Sequence, residues 1–151
     1  MLHWSVIRTV VVYGCETLVL KESINQRLSV TERKLLRKVF GPNKEDNDNL
    51  RIKTDKEFYQ LIKHHNFINY VKARRLSWFG RINRIPETST VKKIYTCKSF
   101  ARRPVGRPKW RWEDDVRNDL KKMKLTKWAL PVQDRLKWKD IVEKAKTLPQ
   151  L

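Results

Sequence analysis

Apolar side chains recur every three or four positions along most of the chain, the spacing that gathers them on one side of an α-helix. Ser23 is placed to cap a helix running to about Phe40, with Leu28, Leu35, Leu36, Val39 and Phe40 on one stripe. Gly41-Pro42 stops it, since proline cannot continue a helix and glycine tolerates the backbone of a helix end. Residues 43–53 are polar and read as a loop. Thr54-Asp55-Lys56-Glu57 fits a capping box, opening a short helix to about His64. The strongest amphipathic pattern spans Asn66 to Ile85, with Phe67, Val71, Trp78, Ile82 and Ile85 as its apolar stripe, and Pro86 ends it. A short helix is expected over Thr90 to Cys97. Residues 99–109 hold two prolines, a glycine and several cations, which predicts a stiff, extended linker and a subdomain boundary. Two last helices are expected, Glu113 to Met123 and Val132 to Lys146. Trp112, Val116, Leu120 and Met123 line the first; Trp138, Ile141, Val142 and Ala145 line the second. Between them, Thr126 is placed to cap a turn containing Trp128. No segment alternates convincingly as a strand, so the expected fold is all-α, in four segments: 1–41, 42–98, 99–111 and 112–151.

Charge narrows the function. The chain of 151 residues carries a formal net charge of +19 and has a pI near 10.3. Between Phe58 and Trp112 stand fourteen Lys or Arg and one acid, Glu87, while the flanks are close to balanced. A folded chain this basic repels itself, and a polyanionic partner explains it best: nucleic acid first, an acidic membrane surface second. A small neutral substrate explains none of the charge. The apolar run from Trp4 to Leu20 is broken by Arg8 and Glu16 and is too interrupted to span a bilayer. Two cysteines, Cys15 and Cys97, form no CxxC pair, which predicts reduced thiols and a soluble, intracellular chain. His3, His64 and His65 assemble no zinc set with them, and no P-loop or nucleophile elbow occurs, so no metal or cofactor is expected.

Two stretches are candidates for nucleic-acid contact. In the linker, Arg102, Arg103, Arg107, Lys109 and Arg111 are spaced along a proline-stiffened strand that can follow a phosphate backbone, with Trp110 as a candidate for base stacking. The Gly106-Arg107-Pro108 triplet also looks like short hooks that enter a narrow minor groove. Trp112, by contrast, is expected in the core. The second stretch is the basic face of the 66–85 helix, Lys72, Arg74, Arg75, Arg81 and Arg84, extended by Lys92 and Lys93. The alternative for that face is plain solvation, but it has no acids of its own to pair with. Asp114-Asp115 falls in the first turn of a helix, where the helix dipole stabilises negative charge, so no catalytic role is needed.

Five blocks carry a family resemblance. Tyr13-Gly14-Cys15-Glu16-Thr17 and Glu32-Arg33-Lys34-Leu35-Leu36-Arg37-Lys38-Val39-Phe40-Gly41 resemble segments that follow the palm in non-LTR retrotransposon reverse transcriptases. Arg75-Leu76-Ser77-Trp78-Phe79-Gly80-Arg81, Gly106-Arg107-Pro108-Lys109 with Arg111-Trp112 and Asp114, and Trp128 with Asp134-Arg135 and Trp138 are similar to that family's C-terminal motifs. Leu18, Arg81 and Gln133 stand where the family has Trp, His and Ala. The resemblance implies that residues 1–41 are a thumb-like helical bundle and that a small C-terminal helical subdomain follows the basic linker. It also implies that the fingers, the palm with its magnesium-binding aspartates and the endonuclease lie upstream, with Met1 an internal start. On this reading the fragment is not an enzyme. It grips RNA or an RNA–DNA duplex through backbone phosphates, next to the upstream palm and fingers, and works in the nucleus. It needs no membrane and no small-molecule substrate. The alternatives are a contribution to RNA-directed DNA polymerisation, an unrelated basic helical DNA-binding protein, and a decayed reading frame without function. Replacing Arg102, Arg103, Arg107 and Lys109 together by Ser is expected to weaken binding to all nucleic acids alike and to lower the salt slope by about 0.7 to 0.9 for each phosphate no longer neutralised. An unchanged slope in a salt titration of binding leaves that linker a solvated connector.

Overall fold

A computed structural model of the chain describes residues 8–44, 50–62, 66–97 and 111–147. Among them the helices are α1 Arg8–Val11, α2 Glu22–Phe40, α3 Asp55–Ile62, α4 Phe67–Arg84, α5 Thr90–Thr96, α6 Trp112–Lys122 and α7 Arg135–Thr147. The described residues are all-α apart from one small antiparallel pair, β1 Asn43–Lys44 with β2 Leu50–Arg51. That pair replaces the expected loop. Its strands are two residues long, too short to leave a period-two pattern in the sequence. Helix boundaries fall within a few residues of those read from the sequence; α7 starts at Arg135 rather than Val132, because Asp134 caps it.

The described residues belong to two compact units, one of residues 20–68 and one of residues 8–19 with 69–147. The units therefore part at other places than the four sequence segments do. The linker 99–111 lies outside the described residues except for Arg111.

In the smaller unit, Leu20, Leu36, Phe58 and Phe67 are buried. Of the α2 stripe only Leu36 is fully buried, while Val39 and Phe40 remain 53% and 40% exposed. Polar caps hold the helix ends. Gly41 ends α2 at φ 62, a left-handed backbone that glycine adopts without strain. The Lys53 ammonium donates to the carbonyls of Phe40, Gly41 and Pro42 at 3.1, 3.0 and 3.1 Å, neutralising the negative end of the helix. At the start of α3 the Thr54 N–H donates to the Glu57 carboxylate at 2.7 Å, half of the expected capping box. The Arg51 guanidinium, 2.6 Å from Glu57, and the Thr54 N–H hold that carboxyl below its ordinary range. Glu32, buried on α2, accepts from the Phe67 N–H through both oxygens at 3.2 and 3.3 Å, so an acid from another helix caps the first turn of α4.

The larger unit is built around Phe79. Trp128 meets its ring edge-on at 5.0 Å between centroids, and Trp138 and Trp112 stand at 6.2 and 6.3 Å. Ala73, Leu76, Val116, Leu120, Val132, Val142 and Ala145 complete the core with α6 and α7. Trp112 was expected inside; it is half-buried at the rim, packed against the core, with its indole N–H donating to the Glu16 carbonyl at 2.7 Å. The Glu16 carbonyl satisfies the polar edge of this indole at the rim. Trp138 is fully buried and donates to the Leu76 carbonyl at 2.9 Å, which lays its ring on α4 at Gly80. A Cβ at Gly80 would coincide with that indole.

Gly80→Ala therefore opposes two effects. Alanine raises helix propensity by about 1 kcal/mol, but the methyl forces the indole out of a packed core, which costs about 1–3 kcal/mol or more. Net destabilisation with a lowered denaturation midpoint is expected; a raised midpoint would show that α4 and α7 pack elsewhere.

Candidate nucleic-acid interface

The basic side chains of α4 fall into two groups. Lys72 and Arg75 were expected on a solvent face free of acids, and the structure corrects this. Both are buried, at 3% and 1% exposure, and both are paired with carboxylates of α6. Lys72 Nζ lies 3.2 Å from Asp119 Oδ1, Arg75 lies 2.7 Å from Asp115 Oδ2, and a second Arg75 nitrogen lies 3.5 Å from Asp119 Oδ2. The partners sit some forty residues further along the chain, so the α4 segment alone holds no sign of them. Burial pushes the Asp119 carboxyl above its ordinary value, against the pull of Lys72 and Arg75. The same burial pushes the Lys72 ammonium below its own, against Asp119. Asp115 thus has a structural partner in addition to its place at a helix start.

The other group faces an open groove of about 860 Å³. Arg74, Ser77, Trp78, Arg81, Arg84 and Ile85 of α4 and its end line one wall, and Glu16, Thr17, Pro86 and Arg135 complete it. Four arginines thus face one carboxylate. Arg74 sits 3.3 Å from Glu16 and 5.9 Å from the centre of the Tyr70 ring. Arg84 donates to the Val132 carbonyl at 2.9 Å, which fixes its guanidinium at the groove edge. Arg81 and Arg135 are exposed, and the Arg81 guanidinium lies 5.9 Å from the centre of the Trp78 ring. Of the apolar stripe read from the sequence, Phe67, Val71 and Ile82 are buried, joined by Ala73, Leu76 and Phe79, whereas Trp78 and Ile85 line the groove. Arg135 was missed as a site residue, although it belongs to the quoted Asp134-Arg135 block. Only the packing of the start of α7 brings it to α4.

The remaining candidates are scattered. Lys92 is half-buried, donates to the Ile82 carbonyl at 3.3 Å and stands 6.0 Å from the Tyr95 ring centre, while Lys93 is exposed. Arg111 is exposed just before α6, where its backbone N–H reaches Asp114 at 3.4 Å. Arg102, Arg103, Arg107, Lys109 and Trp110 lie outside the described residues, as do His3, His64 and His65. Of the cysteines, Cys15 is buried, and burial with the neighbouring Glu16 pushes its thiol up to about 11, so it stays protonated and unreactive. Among the described residues no helix is long and apolar enough to cross a membrane.

With this geometry in view, likeness to known proteins is limited. No protein-family model matches the chain, and no solved structure matches it. A Caenorhabditis elegans protein whose name calls it uncharacterized and transposon-derived is 22% identical over 152 residues, covering 95% of this chain. The chain spans about half of that relative, 53% of its length.

The division of the α4 cations has a direct consequence for stability. Asp119→Asn removes a carboxylate from two buried cations and is expected to destabilise the larger unit by about 3–5 kcal/mol. Arg81→Ser, at an exposed position, is expected to change stability by about 0.5 kcal/mol or less. Denaturant unfolding of both variants checks this, and equal effects would contradict the assignment.

Proposed function

We propose that this chain is a transposon-derived nucleic-acid-binding module, the thumb and C-terminal part of a non-LTR retrotransposon reverse transcriptase, holding RNA or an RNA–DNA template–primer by its phosphates. The observation that carries the reading is the groove along α4, where Arg74, Arg81, Arg84 and Arg135 face a single acid, Glu16. Guanidinium groups suit phosphate because their fork of donors meets two oxygens at once. The net charge of +19 adds long-range attraction for any polyanion. The transposon-derived relative agrees with the family blocks in the sequence, which span almost the whole chain.

In this reading the module positions nucleic acid and is not itself an enzyme; bond making belongs to palm and fingers encoded upstream. It holds the backbone and not the base edges, so affinity is shared by all sequences. It acts inside the cell, in the nucleus, where such an element copies itself into a chromosome.

The test is the salt dependence of binding, measured with a labelled RNA and an RNA–DNA duplex. Each phosphate neutralised releases condensed counterions, so log affinity falls linearly with log salt. The combined variant Arg74→Ser, Arg81→Ser, Arg135→Ser is expected to lower the slope by about 0.7 to 0.9 for each phosphate it no longer holds, with an unchanged helical spectrum. Binding as tight as the parent's, with the same slope, would remove the groove from consideration.

A further inference from the structure

We infer that the α4 groove takes an unpaired nucleotide, with Trp78 as the platform on which its base stacks. The inference rests on the phosphate-binding reading of that groove and adds the strandedness of what it binds. Four tryptophans lie among the described residues, and three of them close around Phe79. Trp78, the residue beside Phe79, is turned the other way and lines the groove. Among the described residues it has no aromatic partner and no hydrogen bond to its indole N–H; its one ring contact is the Arg81 guanidinium at 5.9 Å. The indole is half-buried in a groove that four arginines line, so a planar group carrying negative charge can stack on it and pair with them at once.

A nucleotide has both properties, and its pairing state decides whether it can use them. In a duplex each base is stacked on both faces, so a duplex offers this groove its phosphates only. An unpaired strand offers phosphates and free base faces together, and base–aromatic stacking tolerates any sequence. Arg74 and Arg84 are ten residues apart on α4, about 15 Å along the axis, so the arginines span a short run of backbone phosphates. The Arg81 guanidinium, 5.9 Å from the ring centre, stands where it can pair with the phosphate next to a base stacked on Trp78.

The experiment compares the full chain with Trp78→Leu and Trp78→Phe. The probes are a 12-nucleotide single strand, as DNA and as RNA, and the matching DNA duplex, all at one salt concentration. The parent is expected to bind at least one single strand more tightly than the duplex, and the two sugars show which one fits. Trp78→Leu should weaken binding of that single strand by about 5- to 150-fold, the range of one stacked base, and stay within about twofold on the duplex. Trp78→Phe keeps a stacking ring and should recover most of the affinity, which separates stacking from misfolding. The salt slope should not change in either variant, because stacking releases no counterions. If Trp78→Leu binds the single strand as the parent does, or if it weakens strand and duplex equally and Phe does not rescue it, the platform is wrong. Should the arginine variant meanwhile still lower the slope, the phosphate-binding reading survives that failure; if its slope is also unchanged, both fall.

Discussion

Two cations of α4, Lys72 and Arg75, are buried against two carboxylates of α6, Asp119 and Asp115, and the arrangement of the larger unit depends on that pairing. A buried ion pair is a poor source of stability, because removing four charged groups from water costs about as much as their attraction returns. Its effect is on register. Sliding α6 by one turn, or rotating α4 by one residue, would strand a charge in the interior, a far larger penalty than a misplaced leucine. Two Arg75 nitrogens, Nε and Nη1, have no hydrogen-bond partner among the described residues, the second lying 3.5 Å from Asp119 as an ion pair only, so even the native cluster is not fully satisfied. The pairing thus selects one packing out of several that the apolar residues would tolerate.

Once α4 is oriented in this way, the fate of its other residues follows. Residues at helical spacing from Lys72 and Arg75 turn inward, including Leu76 and Phe79. Arg74, Trp78 and Arg81 turn outward together, on the stripe that i, i+4 and i+7 define. Trp138 then reaches α4 at the one position without a side chain, Gly80, and its indole N–H finds the Leu76 carbonyl. That contact sets α7 against α4, and with it brings Arg135 to the groove, while Arg84 is fixed by the Val132 carbonyl in front of α7. The groove is in this sense a consequence of the core: it exists because Asp115 and Asp119 claim two of the helix's cations and leave the others facing solvent.

The smaller unit relies on polar closure of helix ends more than on a large core. A single lysine, Lys53, covers three carbonyls at the end of α2, and a single buried glutamate, Glu32, covers the first N–H of α4. Unmet backbone groups at helix ends cost as much as broken hydrogen bonds, so these few interactions do much to define where the helices stop.

By itself the sequence determined the elements and most of the groove's cations. Helical periodicity, Gly41-Pro42, Thr54 to Glu57 and Pro86 are local signals, and each acts through neighbours within a turn of itself; the helices accordingly appear close to where those signals put them. Charge is additive, so the excess of +19 could be read without any structure. Arg74, Arg81 and Arg84 were legible as a basic face for the same reason. What the sequence could not determine is which cations were already taken. Lys72 and Arg74 look alike along the chain, yet one is 3.2 Å from Asp119 and buried while the other lines the groove. Trp78 and Phe79 are adjacent aromatics, yet Phe79 is at the centre of the core and Trp78 outside it. Those distinctions belong to the tertiary structure alone, because they depend on interactions between residues forty to sixty positions apart, and no local pattern records how two helices are rotated against each other.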